Sequence, residues 1–159
     1  MNRRTAIKQF FILSGGLWLA ASCTGNEQSA SIALNQVKFT AKDEALLASL
    51  VNAVIPMTDS PGGKDLNLHL FVMKMVDDCH PKADQDAFTE GLKAVHKLNK
   101  SNEADLLAYL QQLPKDDIFR NVLKRRTIQG YLNSSYVMKN KLIYELVPGH
   151  YDGAVKVQG

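Results

Sequence analysis

The chain has 159 residues, of which 45% are hydrophobic, and this is enough apolar material for one folded domain and argues against intrinsic disorder. The formal net charge of +3 includes Arg3, Arg4 and Lys8 near the N-terminus. Without those three residues the chain is close to neutral, so nucleic acid is not expected as a partner.

The first segment has the pattern of an export signal. Arg3 and Arg4 form a twin-arginine pair, Lys8 follows, and an apolar run occupies residues 10–21. This run is shorter than the roughly 20 residues that a membrane-spanning helix needs. A charged start, a short apolar middle and a small-residue end are typical of a cleavable signal peptide, which we predict over residues 1–22.

Cys23 indicates how the exported chain is held. The sequence LAASC at residues 19–23 resembles the lipobox of bacterial lipoproteins, in which the cysteine thiol receives a lipid and becomes the mature N-terminus. An ordinary signal peptide with a bystander cysteine is the alternative. Because residues 24–31 are polar, we favour lipidation and predict a flexible tether over residues 23–39. The expected location is the periplasmic side of a membrane, with the lipid on Cys23 as anchor.

Cys79 is then the only other cysteine in the chain, so no internal disulfide is expected. In an oxidising compartment such a residue is either buried or free, or it is paired with another chain.

Apolar residues at spacings of three and four begin after Thr40, which is a predicted N-cap with Asp43 completing a capping box. Pro56 ends this first helix. The loop at residues 57–64 contains strong turn signals, and it is either a rigid, partner-facing turn or a plain helix-helix connection.

Four more helices are predicted. The second helix of the chain has apolar residues around most of its circumference, so we expect it to lie at the centre of the bundle. The four helices are predicted over residues 66–78, over residues 83–98, after Ser101 until Pro114 closes the helix, and from Asp116 to a poorly marked end near Gly130. Beyond Gly130 the periodicity fades in a tyrosine-rich segment, where we predict a short helix over residues 140–146 and an irregular tail. No strand pattern of useful length is present. The predicted fold is all-α, a compact bundle of about five to six helices in a domain over residues 40–159.

The chain offers little catalytic chemistry. Gly62 and Gly63 lack the spacing and the preceding strand of a nucleotide-binding fingerprint, and Cys79-His80 lacks the first cysteine of a c-type haem motif. Catalysis by Cys79 with a histidine is conceivable, although a lone thiol at a helix end is more often structural. His69 is expected to be a core or interface residue. Tyrosines among short polar residues instead favour an interaction surface, with a tail that wraps its own bundle as the alternative.

Several motifs together resemble the gluconate 2-dehydrogenase subunit 3 family, from about residue 40 onward. They are IPMTDSPGG at residues 55–63, Phe71-Val72, Phe88-x-x-Gly91-Leu92, Thr127-x-x-Gly130-Tyr131-x-x-Ser134 and Tyr144-x-x-x-Pro148-Gly149-x-Tyr151-x-Gly153. The twin-arginine leader is also typical of that family.

The resemblance implies a small, non-catalytic subunit without a cofactor of its own. Its expected partner is a large FAD-containing flavoprotein of the glucose-methanol-choline oxidoreductase (GMC) type, which oxidises a sugar or sugar acid, with a cytochrome c as one candidate electron acceptor. The small subunit would act as folding partner, export escort and membrane tether. The expected contact residues are Thr58, Asp59, Pro61, Gly62, Tyr131, Tyr144, Pro148, Gly149 and Tyr151. The alternatives are an independent envelope lipoprotein with a binding role and, less favoured, a small thiol-dependent enzyme.

Overall fold

A computed structural model describes residues 29–98 and 102–142, together with Gly149 and Ala154. Within these residues the chain forms six α-helices, and the predicted all-α class is confirmed. The helices are α1 (Ala41–Val54), α2 (Leu68–Cys79), α3 (Lys82–Lys97), α4 (Glu103–Gln112), α5 (Ile118–Leu132) and α6 (Ser135–Asn140). The predicted signal peptide and Cys23 lie outside the described residues.

Helix starts follow the local capping signals. Thr40 caps α1 through the predicted capping box, because its hydroxyl accepts from the Asp43 N–H while the Asp43 carboxylate accepts from the Thr40 N–H. Asp117 caps α5 by accepting from the Arg120 N–H at 2.7 Å, so this helix begins slightly later than predicted. Asn67 precedes α2 in a left-handed conformation with φ of 52°, which ends the preceding turns and delays the helix start.

A short helix that was not predicted follows α5. The helix after α5 covers Ser135–Asn140, and the Ser134 hydroxyl accepts from the Val137 N–H at its start. A serine N-cap can start a helix here once the Val137 side chain packs against the core. Most of the predicted range, residues 140–146, falls outside the described residues.

The core lies where α1, α2, α3 and α5 meet, and α5 packs against α1, α2, α3 and α6. Phe88 on α3 is fully buried and has the Phe39 and Phe119 rings as neighbours, with centroids at 6.3 Å and 5.1 Å. Helix α2 is deeply buried, as predicted, with Val72, Met73 and Val76 inaccessible to solvent. However, α5 shares the central position, which its weaker hydrophobic periodicity did not reveal.

The largest departure from prediction is the segment before α1. Ser29 and Thr40 form an antiparallel bridge, and the Ala30 N–H donates to the Phe39 carbonyl at 3.0 Å. Residues 29–40 therefore form an Ω-loop, a compact loop with adjacent ends. Val37 and Phe39 from this loop are buried in the core. The prediction of a flexible tether is wrong for residues 29–39, and the folded body begins earlier than residue 40.

Asp77 on α2 holds the far side of the Ω-loop. Its carboxylate is fully buried and accepts from the backbone N–H groups of Asn35, Gln36 and Val37 at 2.7, 2.7 and 2.8 Å. Burial by itself would raise the pKa of Asp77, but these three donors outweigh it and the pKa is lowered. The side chain is thus an ionised acceptor for loop backbone that has no helix or strand partner.

Glu44 on α1 holds the near side of the loop. It accepts from the Ser31 N–H at 2.6 Å and from the Ser31 hydroxyl at 2.7 Å. These hydrogen bonds lower the pKa of Glu44, since both donors favour the charged carboxylate. Two acidic side chains therefore hold the Ω-loop, Glu44 near its start and Asp77 at its middle.

Candidate partner interface

The loop after α1 has an exposed tip on a buried base. Met57 at the tip is 69% exposed, and Thr58 and Asp59 are exposed beside it. The tip is closed by the Thr58 N–H, which donates to the Ser60 carbonyl at 3.1 Å, and by the Thr58 hydroxyl, which donates to the Asp59 carboxylate at 3.0 Å. Pro61 is half-buried. A short, internally bonded tip of this kind presents its side chains in one arrangement.

Gly62 does not fit the contact role predicted for it, because it is buried. A Cβ atom at Gly62 would lie 2.5 Å from Asn52 Oδ1, and one at Gly63 would lie 2.5 Å from the Val51 carbonyl oxygen. The Gly63 N–H also donates to the Ile55 carbonyl at 2.8 Å. The two glycines let the loop fold closely over the end of α1, so their role is structural.

Two glycines of the other motifs serve helix packing. A Cβ at Gly130 on α5 would lie 2.8 Å from the Phe71 ring of α2, and a Cβ at Gly91 on α3 would lie 2.5 Å from the Cβ of Phe119 on α5. These positions bring the helices into close contact, which any larger side chain would prevent. The motif around Phe71, Gly91 and Gly130 is therefore a packing signature.

Tyr131 follows Gly130 and is half-buried against the hydrophobic core. Only part of its ring is available to a partner. Tyr144, Pro148 and Tyr151, the other predicted contacts of the C-terminal region, lie outside the described residues. Gly149 is exposed, and a Cβ there would meet nothing within 4 Å.

The prediction missed an exposed apolar surface at the end of α5. Ile128, Leu132 and Leu142 are 39%, 54% and 53% exposed, and we call them the α5–α6 strip. Ile128 and Leu132 are one turn apart on the same face of α5. Leu142 follows α6, and its N–H donates to the Val137 carbonyl, which closes the last turn of that helix. A helical-wheel plot that put Phe119, Val122 and Leu123 inward would have shown Ile128 and Leu132 off the buried face.

The titratable groups have mainly structural partners. His96 on α3 lies 2.8 Å from the Asp43 carboxylate, a partner that is distant in sequence and was not expected. His69 is buried, and burial lowers its pKa by disfavouring the charged ring. Cys79 is an exposed free thiol. Over residues 29–98 and 102–142, His, Cys, Asp and Glu side chains form no group of three or more that could hold a metal ion.

A family model described as gluconate 2-dehydrogenase subunit 3 matches residues 41–149, which is more than half of the chain. The chain belongs to the gluconate 2-dehydrogenase subunit 3 family. The matched range covers the loop after α1, the packing glycines and the α5–α6 strip. No curated protein and no solved structure matches this subunit 3 chain.

The family name describes a subunit, which implies a multi-subunit gluconate dehydrogenase complex, so surfaces that face another chain are expected. Among the helices the structure describes, none is both long enough and apolar enough to cross a bilayer.

Proposed function

We propose that this subunit 3 protein is the non-catalytic small subunit of an FAD-dependent, GMC-type sugar or sugar-acid dehydrogenase. It acts as folding partner, twin-arginine export escort and membrane tether of the catalytic flavoprotein. Substrate oxidation takes place in the flavoprotein, which binds the FAD, and a cytochrome c is a candidate electron acceptor.

Family membership carries the proposal, and the α5–α6 strip supports it. Exposed apolar residues that neighbour one another and have polar residues around them are typical of protein contact sites. Exposed Lys139 and Lys141 precede Leu142 along the chain, and half-buried Tyr136 lies earlier on α6. An apolar centre with a basic rim would favour a partner surface that is apolar with acidic residues at its edge.

The loop tip at residues 57–61 supplies a second candidate contact. It lies at the C-terminal end of α1, about 20 Å along a 14-residue helix from the Ω-loop. Exposed Met57 provides a flexible apolar side chain, while Thr58 and Asp59 provide hydrogen-bonding groups. The buried glycines at its base hold the tip in place, which reduces the entropy lost when a partner binds.

The proposed escort and tether functions rest on two features of the N-terminal segment, the twin-arginine pair and Cys23. The twin-arginine pathway moves folded proteins, so a folded small subunit could carry a bound flavoprotein that has no signal of its own. A lipid on Cys23 would then hold the assembly at the periplasmic face. A single acyl chain binds membranes only weakly, whereas the several chains of a bacterial lipoprotein anchor stably.

Export of the partner tests the proposal. The Arg3→Lys/Arg4→Lys variant keeps the charge of the signal but removes the arginine pair, and Lys8→Arg is a matched control that leaves the pair intact. With the flavoprotein co-expressed, we expect the double variant to leave both chains in the cytoplasm and the control to export both. Normal periplasmic arrival of the flavoprotein with the double variant would refute the escort function.

A further inference from the structure

The Ω-loop shortens the connection between the proposed lipid and the folded body. Ser29 is paired with Thr40 and the Ser31 N–H is bonded to Glu44, so Ser29 is part of the folded body. Only residues 24–28 then separate Cys23 from the body. Six peptide units span at most about 22 Å, whatever their conformation.

This maximum distance between Cys23 and Ser29 is shorter than the diameter of the folded body. A domain of this size is about 35 Å across, so a body held within about 22 Å of its lipid cannot turn its opposite side to the membrane. Part of that distance is taken up by the head-group layer, which is roughly 5–8 Å thick in each leaflet. The end of the body that carries Ser29 must therefore face the bilayer.

The surface around Ser29 has a composition that suits a membrane surface. A cleft of about 580 Å³ beside Ser29 is lined by Ala41, Ala45, Lys64 and Asn67, among others. Lys64 is exposed and lines this cleft, and Lys38 is exposed and lines a second cleft that Ser29 also borders. Of the nearby acids, Glu44 is engaged by Ser31, which leaves Asp65 as the exposed carboxylate lining this cleft.

We infer that the Ser29 end of the body, with Lys38, Lys64 and the N-terminal turns of α1 and α2, lies against the anionic head groups of the membrane that holds Cys23. This orientation rests on the proposed lipid anchor. Lysines near an anionic surface are attracted to it, and this attraction adds to the anchor, which already limits the distance between the body and the membrane. The loop tip at residues 57–61 is then directed away from the point of attachment, along α1.

Thiol labelling of the membrane-bound protein tests the orientation, with a thiol at the loop tip as the reference. Met57 is 69% exposed beyond the C-terminal end of α1, about 20 Å along this helix from the Ser29–Thr40 bridge, so Met57→Cys in a Cys79→Ser background provides that thiol. Ala45 is exposed in the cleft beside Ser29, so Ala45→Cys in a Cys79→Ser background places a single thiol there. Both proteins are labelled with a polyethylene-glycol maleimide, first in isolated membranes and then in detergent.

We expect the thiol at position 45 to react several-fold more slowly in membranes than in detergent, while the thiol at position 57 reacts at similar rates in both. A flexible 20-residue spacer inserted between Gln28 and Ser29 should remove the protection at position 45. Lys38→Glu/Lys64→Glu should weaken the protection and leave the protein in the membrane fraction. Equal labelling of both thiols in membranes would overturn the orientation.

The anchor is checked separately in the same preparation. A lipidated protein stays in the membrane pellet after an alkaline wash, and it partitions into the detergent phase. If the protein is released by the wash, both the anchor and the orientation are refuted. If it is retained but position 45 is not protected, the orientation alone is refuted and the proposed function stands.

Discussion

The Asp77 carboxylate gives the clearest test of how the Ω-loop is held. In Asp77→Asn, one oxygen can still accept from two of the three backbone N–H groups, but the amide nitrogen replaces the oxygen that faces the Asn35 N–H. One charge-assisted hydrogen bond is lost, two become neutral, and the part-buried Asn35 N–H faces another donor. Charge-assisted bonds contribute about 1.5–3 kcal/mol each, so we expect a loss of about 2–4 kcal/mol.

Urea unfolding followed by circular dichroism measures this loss, and Asp78→Asn is the matched control. Asp78 is the exposed neighbour of Asp77 and pairs with Lys74 at 3.0 Å on the surface. Such pairs contribute about 0–1 kcal/mol, so the control should unfold almost as the unmodified protein does. Limited proteolysis should also cut the Asp77→Asn variant faster within residues 29–39. Equal stability of the two variants would refute the proposed role of Asp77.

The pH dependence of the stability gives an independent check of the role of Asp77, because the direction of the change can be predicted. Because the pKa of Asp77 in the folded state is lowered from 3.8, its contribution to stability is present above that value and is lost as the pH falls through the lower, folded pKa. The stability gap between the unmodified protein and Asp77→Asn should therefore be constant near neutral pH and narrow below about pH 3.8. A gap that widened in acid would contradict this explanation.

Three further predictions concern packing, the interface and the thiol. Gly91→Ala should lower stability by about 1–3 kcal/mol in thermal unfolding, because the new Cβ would be forced against the Cβ of Phe119 near its backbone. Gly149→Ala, where the new Cβ has open space, is its control. Leu132→Glu should change the stability of the isolated subunit by no more than about 0.5 kcal/mol but should reduce co-purification of the flavoprotein. Cys79→Ala should leave dehydrogenase activity of the co-expressed complex unchanged, since substrate oxidation is assigned to the partner.

The interface prediction has its own control in Leu98→Glu, which alters a similarly exposed leucine at the end of α3. Undiminished co-purification with Leu132→Glu, or an equal loss with Leu98→Glu, would remove the α5–α6 strip from the proposed interface. A loss of activity in Cys79→Ala at normal complex yield would instead support the thiol-dependent alternative.

Motif residues were easier to find than to interpret. The glycines at 62, 91 and 130 belong to the pattern that identified the family, yet they are places where backbone or rings approach closely. The sequence shows a glycine but does not show which atoms would meet its Cβ. Conversely, Ile128 and Leu132 belong to no motif, and they became candidates only when the buried face of α5 was known.

The sequence by itself determined the helical class and most of the helix limits, because caps and turns depend on neighbours a few residues away. The Thr40–Asp43 capping box is one such case. Only the tertiary structure decided that residues 29–39 belong to the body. The side chains that hold them, Glu44 and Asp77, are separated from their loop partners by 13 and by 40 to 42 residues, and no local pattern encodes a contact over such distances.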